Sequence, residues 1–234
     1  MKPRASPRAL MIFAAGLGTR MGALTRTRPK PLLEVAGRPL IDHALALGRE
    51  AGVPRIVVNT HAHGEQLQAH LARMAPEVRV SHEPERLETG GGLKRALPLL
   101  GDGPVLTLNA DMVWRGPNPL ALLAAAWRPG DGALLALLPR AAAVGHAGIG
   151  DFFLRADASL DRRGTAPAAD FVYAGAGVID PAAVAAFPGE VFSLNPVWDA
   201  LRAEGRLRGI VYPGGWVDVG RPEGIALAEE ELAR

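Results

Sequence analysis

Near the start of the chain a glycine-bearing loop is followed by two cations. The run Ala14-Ala15-Gly16-Leu17-Gly18-Thr19-Arg20-Met21 leads to Thr25 and then to Pro29-Lys30-Pro31-Leu32. Glycine lets backbone N–H groups come close to anionic oxygens, Arg20 offers a planar fork, and Lys30 a point charge for oxygens that gain charge during a reaction. This is chemistry suited to a triphosphate. Lysine is scarce, at Lys2, Lys30 and Lys94 against twenty-three arginines, so a lysine between two prolines that stiffen its approach reads as a placed ammonium.

Two commoner phosphate motifs do not fit these residues. No Gly-x-x-x-x-Gly-Lys-Ser/Thr P-loop occurs. A dinucleotide fingerprint needs a small residue where Met21 stands. Acidic partners lie far downstream: Asp111 follows the apolar run Val105–Asn109, and Asp218 follows Trp216-Val217. Two carboxylates at strand ends could hold Mg2+, which phosphoryl or nucleotidyl transfer ordinarily uses to screen converging anions. A second glycine cluster, Glu88-Thr89-Gly90-Gly91-Gly92, is expected to present bare backbone and to open a helix over 93–100, whose N-terminus favours negative charge. Thr89, Gly90 and Gly91 are therefore candidate nucleotide contacts, and Glu83 a candidate acceptor for a base N–H. His61-Ala62-His63 finds no third ligand at metal spacing, and the four tryptophans show no interleaving with basic residues.

These residues need a scaffold of alternating strands and helices. Apolar runs predict buried strands at 9–14, 55–59, 78–82, 105–109 and 133–138. Helical spacing covers 39–51, 64–74, 93–100 and 119–127. This alternation predicts a mostly parallel sheet. From Gly145 the texture changes to short, glycine- and aspartate-rich segments, with strands expected at 152–154, 158–160 and 171–178 as an antiparallel lobe over the site. A helix at 195–203, strands at 209–212 and 216–219 and a terminal helix at 222–232 complete the chain.

At 234 residues with a net charge of +2, one α/β domain is expected, with no broad basic surface for nucleic acid. No cysteine is present, which removes disulfides, thiolate metal sites and cysteine nucleophiles. Lys2, Arg4 and Arg8 precede a short apolar stretch that runs straight into the glycine loop, which reads as a first strand rather than a leader. The Ala/Leu segments are too short to span a bilayer. A cytoplasmic monomer or small homo-oligomer without membrane partners is expected.

With Gly16-x-Gly18-Thr19-Arg20-Met21 and Pro29-Lys30-Pro31-Leu32 in place, the chain resembles the sugar-1-phosphate nucleotidyltransferases over nearly its full length. Through Leu87 to Gly92, Gly150-Asp151-Phe152 and Trp216 to Gly220 it is similar to the branch that uridylylates N-acetylmuramate 1-phosphate. The resemblance implies a Rossmann-like mixed sheet with helices on both faces and a small antiparallel sugar-binding lobe. The nucleotide-binding core would span about residues 8–140, the lobe with the second metal aspartate 141–220, and a C-terminal helix the remainder. It further implies a Mg2+-dependent reaction of a nucleoside triphosphate with a sugar 1-phosphate. Ala14, Ala15, Gly16, Gly18 and Thr19 would contact nucleotide, Arg20 and Lys30 the phosphates, Asp111 and Asp218 the metal, and Asn109, Asp151 and Gly175 the sugar. UTP with an N-acetylated amino-sugar phosphate is the expected pair.

Two positions depart from the family pattern: Ala110 stands where a glycine often precedes the metal aspartate, and Ala23 where a proline is frequent. GDP-mannose synthesis is an alternative on the same scaffold. A catalytically silent nucleotide-sugar sensor is the non-enzyme alternative, against which the retained Arg20, Lys30, Asp111 and Asp218 speak. An NAD-dependent oxidoreductase would use Gly16 and Gly18 but leaves Met21 and the Pro-Lys-Pro segment unexplained.

Overall fold

The computed structural model describes residues 6–234, so Lys2 and Arg4 lie outside the described residues. In chain order, β1 (Ala9–Phe13) leads into short 3-10 turns at Thr19–Thr25 and Lys30–Leu32, then β2 (Glu34–Val35), β3 (Arg38–Pro39) and α1 (Leu40–Glu50). β4 (Arg55–Thr60), α2 (Gly64–Met74), β5 (Arg79–His82), α3 (Glu88–Leu100), β6 (Val105–Asn109) and β7 (Met112–Arg115) follow. Next come α4 (Pro119–Ala126), β8 (Ala133–Pro139), β9 (Phe152–Leu154), β10 (Leu160–Arg162) and β11 (Phe171–Ile179). α5 (Pro181–Ala185), α6 (Leu194–Ala203), β12 (Leu207–Val211), β13 (Gly215–Asp218) and α7 (Glu223–Leu232) complete the fold.

β5, β4, β1 and β6 lie side by side and parallel, and β11 then runs antiparallel between β6 and β8, with β12 parallel to β8 beyond it. The strands are apolar on both faces, as burial under helices on two sides requires. Leu10 and Ile12 enter one core with Ile41, Leu45, Leu67 and Leu71, while Met11 enters the other with Leu93, Leu135 and Trp198. A third, smaller core joins Met21, Leu33, Leu40, Val113, Val217 and Val219 to α7. Met21, the residue that breaks a dinucleotide fingerprint, is thus the buried anchor of the glycine loop.

The mixed, mostly parallel sheet agrees with the expectation from the alternating pattern, and two local readings are corrected. The antiparallel hairpin of β9 and β10 joins the edge of the main sheet at Phe152, opposite Phe171. Its second strand begins at Leu160 because Ala158 adopts a positive φ in the turn. The triglycine lies inside α3, not in a loop before it. β7 was not foreseen; it pairs antiparallel with β13 and places Met112 opposite Asp218.

Candidate active site

The site opens at the carboxyl ends of β1 and β6, where Phe13 faces Asn109 across the parallel pair. The chain runs from β1 outward to β4 and β5 and then crosses back through α3 to β6 on the other side of β1, and open α/β sheets bind ligands at such a switch point. A cleft of about 410 Å3 lies there, lined by residues 13–20, by Glu83, Glu88 and Thr89, and by Lys30, Asn109, Asp111 and Gly220. A second cavity of about 240 Å3 adjoins it and shares Phe13, Thr89 and Asn109.

Lys30 is held by its two prolines in a 3-10 turn, with the Leu33 N–H donating to its carbonyl. Only 8% of its surface is exposed, and its Nζ donates to Asp111 Oδ2 at 2.5 Å. Asp111 leaves β6 and enters β7, so the β7–β13 ladder decides its neighbour: the Val219 N–H donates to the Asp111 carbonyl at 3.0 Å. Asp218, one residue earlier, is thereby brought beside it across 107 positions of chain (218 − 111). Asp218 Oδ1 is buried without a hydrogen-bond partner among the described residues, and a Cβ at Gly220 would lie 2.8 Å from that oxygen and 3.2 Å from both terminal nitrogens of Arg20. An uncompensated buried carboxylate oxygen is costly, so Asp218, close behind the cleft residues Gly220, Arg20 and Asp111, is suited to a cation.

His146, which sequence reasoning left unassigned, places Nδ1 3.8 Å from Asp218 Oδ2. Its loop is tied to the site by the Asp218 N–H, which donates to the Val144 carbonyl at 3.0 Å.

The nucleotide candidates divide into two groups. Ala14, Ala15, Gly16, Gly18 and Thr19 line the cleft together with Arg20. Gly18 has φ +64°, and its carbonyl accepts from the Thr25 hydroxyl at 2.9 Å, which fixes the turn that aims Arg20. The Ala14 N–H is already used: it donates to Asn59 Oδ1 at 2.6 Å, while Asn59 Nδ2 donates to Glu83 Oε1 at 2.7 Å. Glu83 Oε2 accepts the Leu87 N–H at the entrance to α3. Both carboxylate oxygens of Glu83 therefore have protein partners, and the residue is 1% exposed. Its position ties the first glycine loop to α3. Replacing Glu83 with Gln would turn an amide N–H toward a donor, and we expect urea unfolding of Glu83→Gln to show a loss of about 1–3 kcal/mol.

Thr89 stands in both cavities, its hydroxyl accepting the N–H of Leu194 at the start of α6. Gly90 and Gly91 do not reach either wall; their N–H groups donate to the Phe192 carbonyl at 2.8 and 3.0 Å. The sequence reading of bare backbone facing a ligand is corrected at these two residues, because the space beside them is filled by the 190–192 segment.

Of the three sugar candidates, Asn109 and Asp151 line the second cavity. Asp151 Oδ2 accepts the Tyr173 N–H at 2.9 Å. Gly175 is on neither wall; it lies at the bulge of β11 behind Asn109 and Met112. Among the wall residues that sequence reasoning did not assign are Phe152, Arg162, Tyr173, Asn195 and Trp198. Burial raises the Tyr173 phenol far above its ordinary pKa, so it remains a neutral hydroxyl.

Comparison with known proteins agrees with this geometry. The model of the MobA-like NTP transferase domain matches residues 10–164. An N-acetylmuramate alpha-1-phosphate uridylyltransferase of Caulobacter vibrioides is 42% identical over 97% of this chain and 98% of its own. One from Neisseria meningitidis serogroup B is 36% identical over 90% and 92%. HddC of Yersinia pseudotuberculosis complexed with GMP-PN superposes with a TM-score of 0.75 at 19% identity, over 96% of this chain and 99% of that one. A Bacillus anthracis chain assigned as a glucose-1-phosphate thymidylyltransferase, in complex with sucrose, reaches 0.82 at 17% identity over 97% and 95%. At these identities the two structures speak for the fold alone. With its family model and two full-length relatives in agreement, the chain belongs to the sugar-1-phosphate nucleotidyltransferases of the MobA-like NTP transferase family.

Proposed function

We propose that this protein transfers the uridylyl group of UTP to N-acetylmuramate 1-phosphate, releasing pyrophosphate, in a Mg2+-dependent reaction in the cytoplasm. The observation that carries the reading is the meeting of two cavities at Phe13, Thr89 and Asn109, with Lys30, Arg20 and Asp111 lining the larger one. The triphosphate would lie along residues 14–20 and the sugar in the smaller cavity, so that the two anions approach each other at the shared wall. The activity of the two full-length relatives supports UTP and the muramate acceptor.

The acceptor's phosphate oxygen forms a bond to the α-phosphorus as the bond from that phosphorus to the bridging oxygen breaks, and that oxygen leaves on pyrophosphate. A phosphate monoester is already ionised near neutral pH, so no strong general base is needed. What remains for the protein is alignment and charge. Arg20 and Lys30 hold phosphate oxygens as negative charge moves toward the leaving group. Asp111 and Asp218 would hold Mg2+, for which the orphaned Asp218 oxygen is fitting; when bound it would supply further charge neutralisation.

The test is a panel of UTP, GTP, CTP and dTTP against muramate, glucosamine, glucose and mannose 1-phosphates, the amino sugars N-acetylated, read as pyrophosphate release. The highest kcat/KM is expected for UTP with N-acetylmuramate 1-phosphate, with loss of turnover in EDTA and recovery on adding Mg2+. Preference for a different triphosphate or acceptor would overturn the substrate assignment.

A further inference from the structure

The smaller cavity contains one cation, and its geometry is that of a receptor rather than a surface charge. Arg162 sits on β10 with its guanidinium carbon 4.7 Å from the Phe152 ring centroid and 5.7 Å from that of Trp198. These two rings meet edge to face, and Tyr173 meets Trp198 in the same manner on the other side. Nε of Arg162 donates to Asp199 Oδ1 at 2.8 Å, and Nη2 donates to the carbonyl and the Oδ1 of Asn195, both at 3.0 Å. Three of the five N–H bonds are thereby committed. The two on Nη1 have no protein acceptor among the described residues, and Arg162 forms part of the cavity wall.

Such a side chain is preorganised. Its planar group is clamped by aromatic faces and two polar anchors, so little rotamer entropy remains to be lost when an anion arrives. The wall also carries Asp151, one of whose oxygens is taken by the Tyr173 N–H while the other is left to accept a hydroxyl. The sugar part of an ordinary hexose phosphate, which is uncharged, needs hydroxyl acceptors and apolar faces. It does not need a guanidinium held in this way beyond the phosphate-binding end of the site.

We propose that Arg162 is the residue that selects an acceptor bearing a carboxylate on the sugar ring, through Nη1. This rests on the reading of N-acetylmuramate 1-phosphate as acceptor. The phosphate on C1 is directed to Lys30 and Arg20 in the larger cavity, which sends the opposite side of the ring, with the lactyl ether on C3, into the smaller cavity. N-acetylglucosamine 1-phosphate is the same sugar without that carboxylate, so the two acceptors isolate the contact.

The experiment measures kcat/KM for both acceptors with UTP in the wild type, in Arg162→Gln and in Arg162→Lys, with thermal unfolding of each. The wild type is expected to prefer the muramate. In Arg162→Gln the muramate-to-glucosamine ratio should fall about thirtyfold or more, chiefly through the KM of the muramate, as for loss of one partner of a sheltered charge pair. Arg162→Lys should recover part of the ratio by restoring charge without the fork. Equal losses for both acceptors, or an unchanged ratio in a folded Arg162→Gln protein, would overturn the proposal and leave Arg162 a structural clamp. A wild type that turns over glucosamine and muramate phosphates alike would also overturn it, with the nucleotidyltransferase reading intact. Absence of turnover with the muramate alone would remove the acceptor reading and this inference with it.

Discussion

Lys30→Ala and Asp111→Ala should each lower kcat for pyrophosphate release by about a hundredfold or more, the size expected when one preorganised electrostatic contact is lost from a transition state. The two side chains form one unit, joined at 2.5 Å with 10% and 26% of their side-chain surfaces exposed. In Lys30→Ala the carboxylate loses its neutralising partner just where phosphate oxygens must enter, so repulsion adds to the missing ammonium. In Asp111→Ala the ammonium is still present but is no longer held in place, and one of the two carboxylates assigned to the metal is missing. Combining the substitutions should cost less than the product of the single losses, because they remove parts of one arrangement. Arg49→Ala, which breaks an ion pair with Glu77 between half-exposed side chains, should change kcat by less than about twofold. A loss in Lys30→Ala no greater than in Arg49→Ala would refute the placing of Lys30 at the reacting phosphates.

The four groups assigned to phosphate and metal were legible in the sequence for particular reasons. Arg20 and Lys30 are marked by glycine and proline neighbours, and Asp111 ends a strand apolar on both faces. Asp218 was marked by its Trp-Val context. The element that brings the two aspartates together was not legible. β7 has four residues, follows β6 after a two-residue turn, and finds its partner β13 about a hundred positions later; short strands set by a distant partner carry little local signal. Arg162 was hidden by composition, since one arginine among twenty-three carries no mark until Phe152, Trp198 and Asn195 are seen around it. The triglycine was misread in the opposite sense. Glycine is a poor helix former, which argues for a loop, but close approach of a neighbouring segment selected it within a helix.

That difference between the glycine clusters leads to the other large effect expected. Gly91→Ala should destabilise the fold by about 3 kcal/mol or more, as severe overpacking does, lowering Tm by about 10 °C in a chain of this size. A Cβ at Gly91 would collide with the Glu190 carbonyl oxygen, and one at Gly90 with the Phe192 ring. Backbone cannot move aside as a flexible side chain can, and the Phe192 carbonyl is fixed by accepting both glycine N–H groups. Gly16 is the converse. Among the described residues, its chain neighbours apart, no atom lies within 4 Å of a Cβ there, and it is not among the residues of positive φ, so Gly16→Ala should leave Tm within about 1 °C, as a substitution away from packed features does. The added methyl would instead project into the space assigned to the nucleotide, and KM for the triphosphate should rise about tenfold or more. The two measurements together separate a glycine needed by the chain itself from one needed by what the chain holds. A stable Gly91→Ala protein would show that the 190–192 segment can retreat from α3, and an unaltered KM in Gly16→Ala would remove the nucleotide from the first loop.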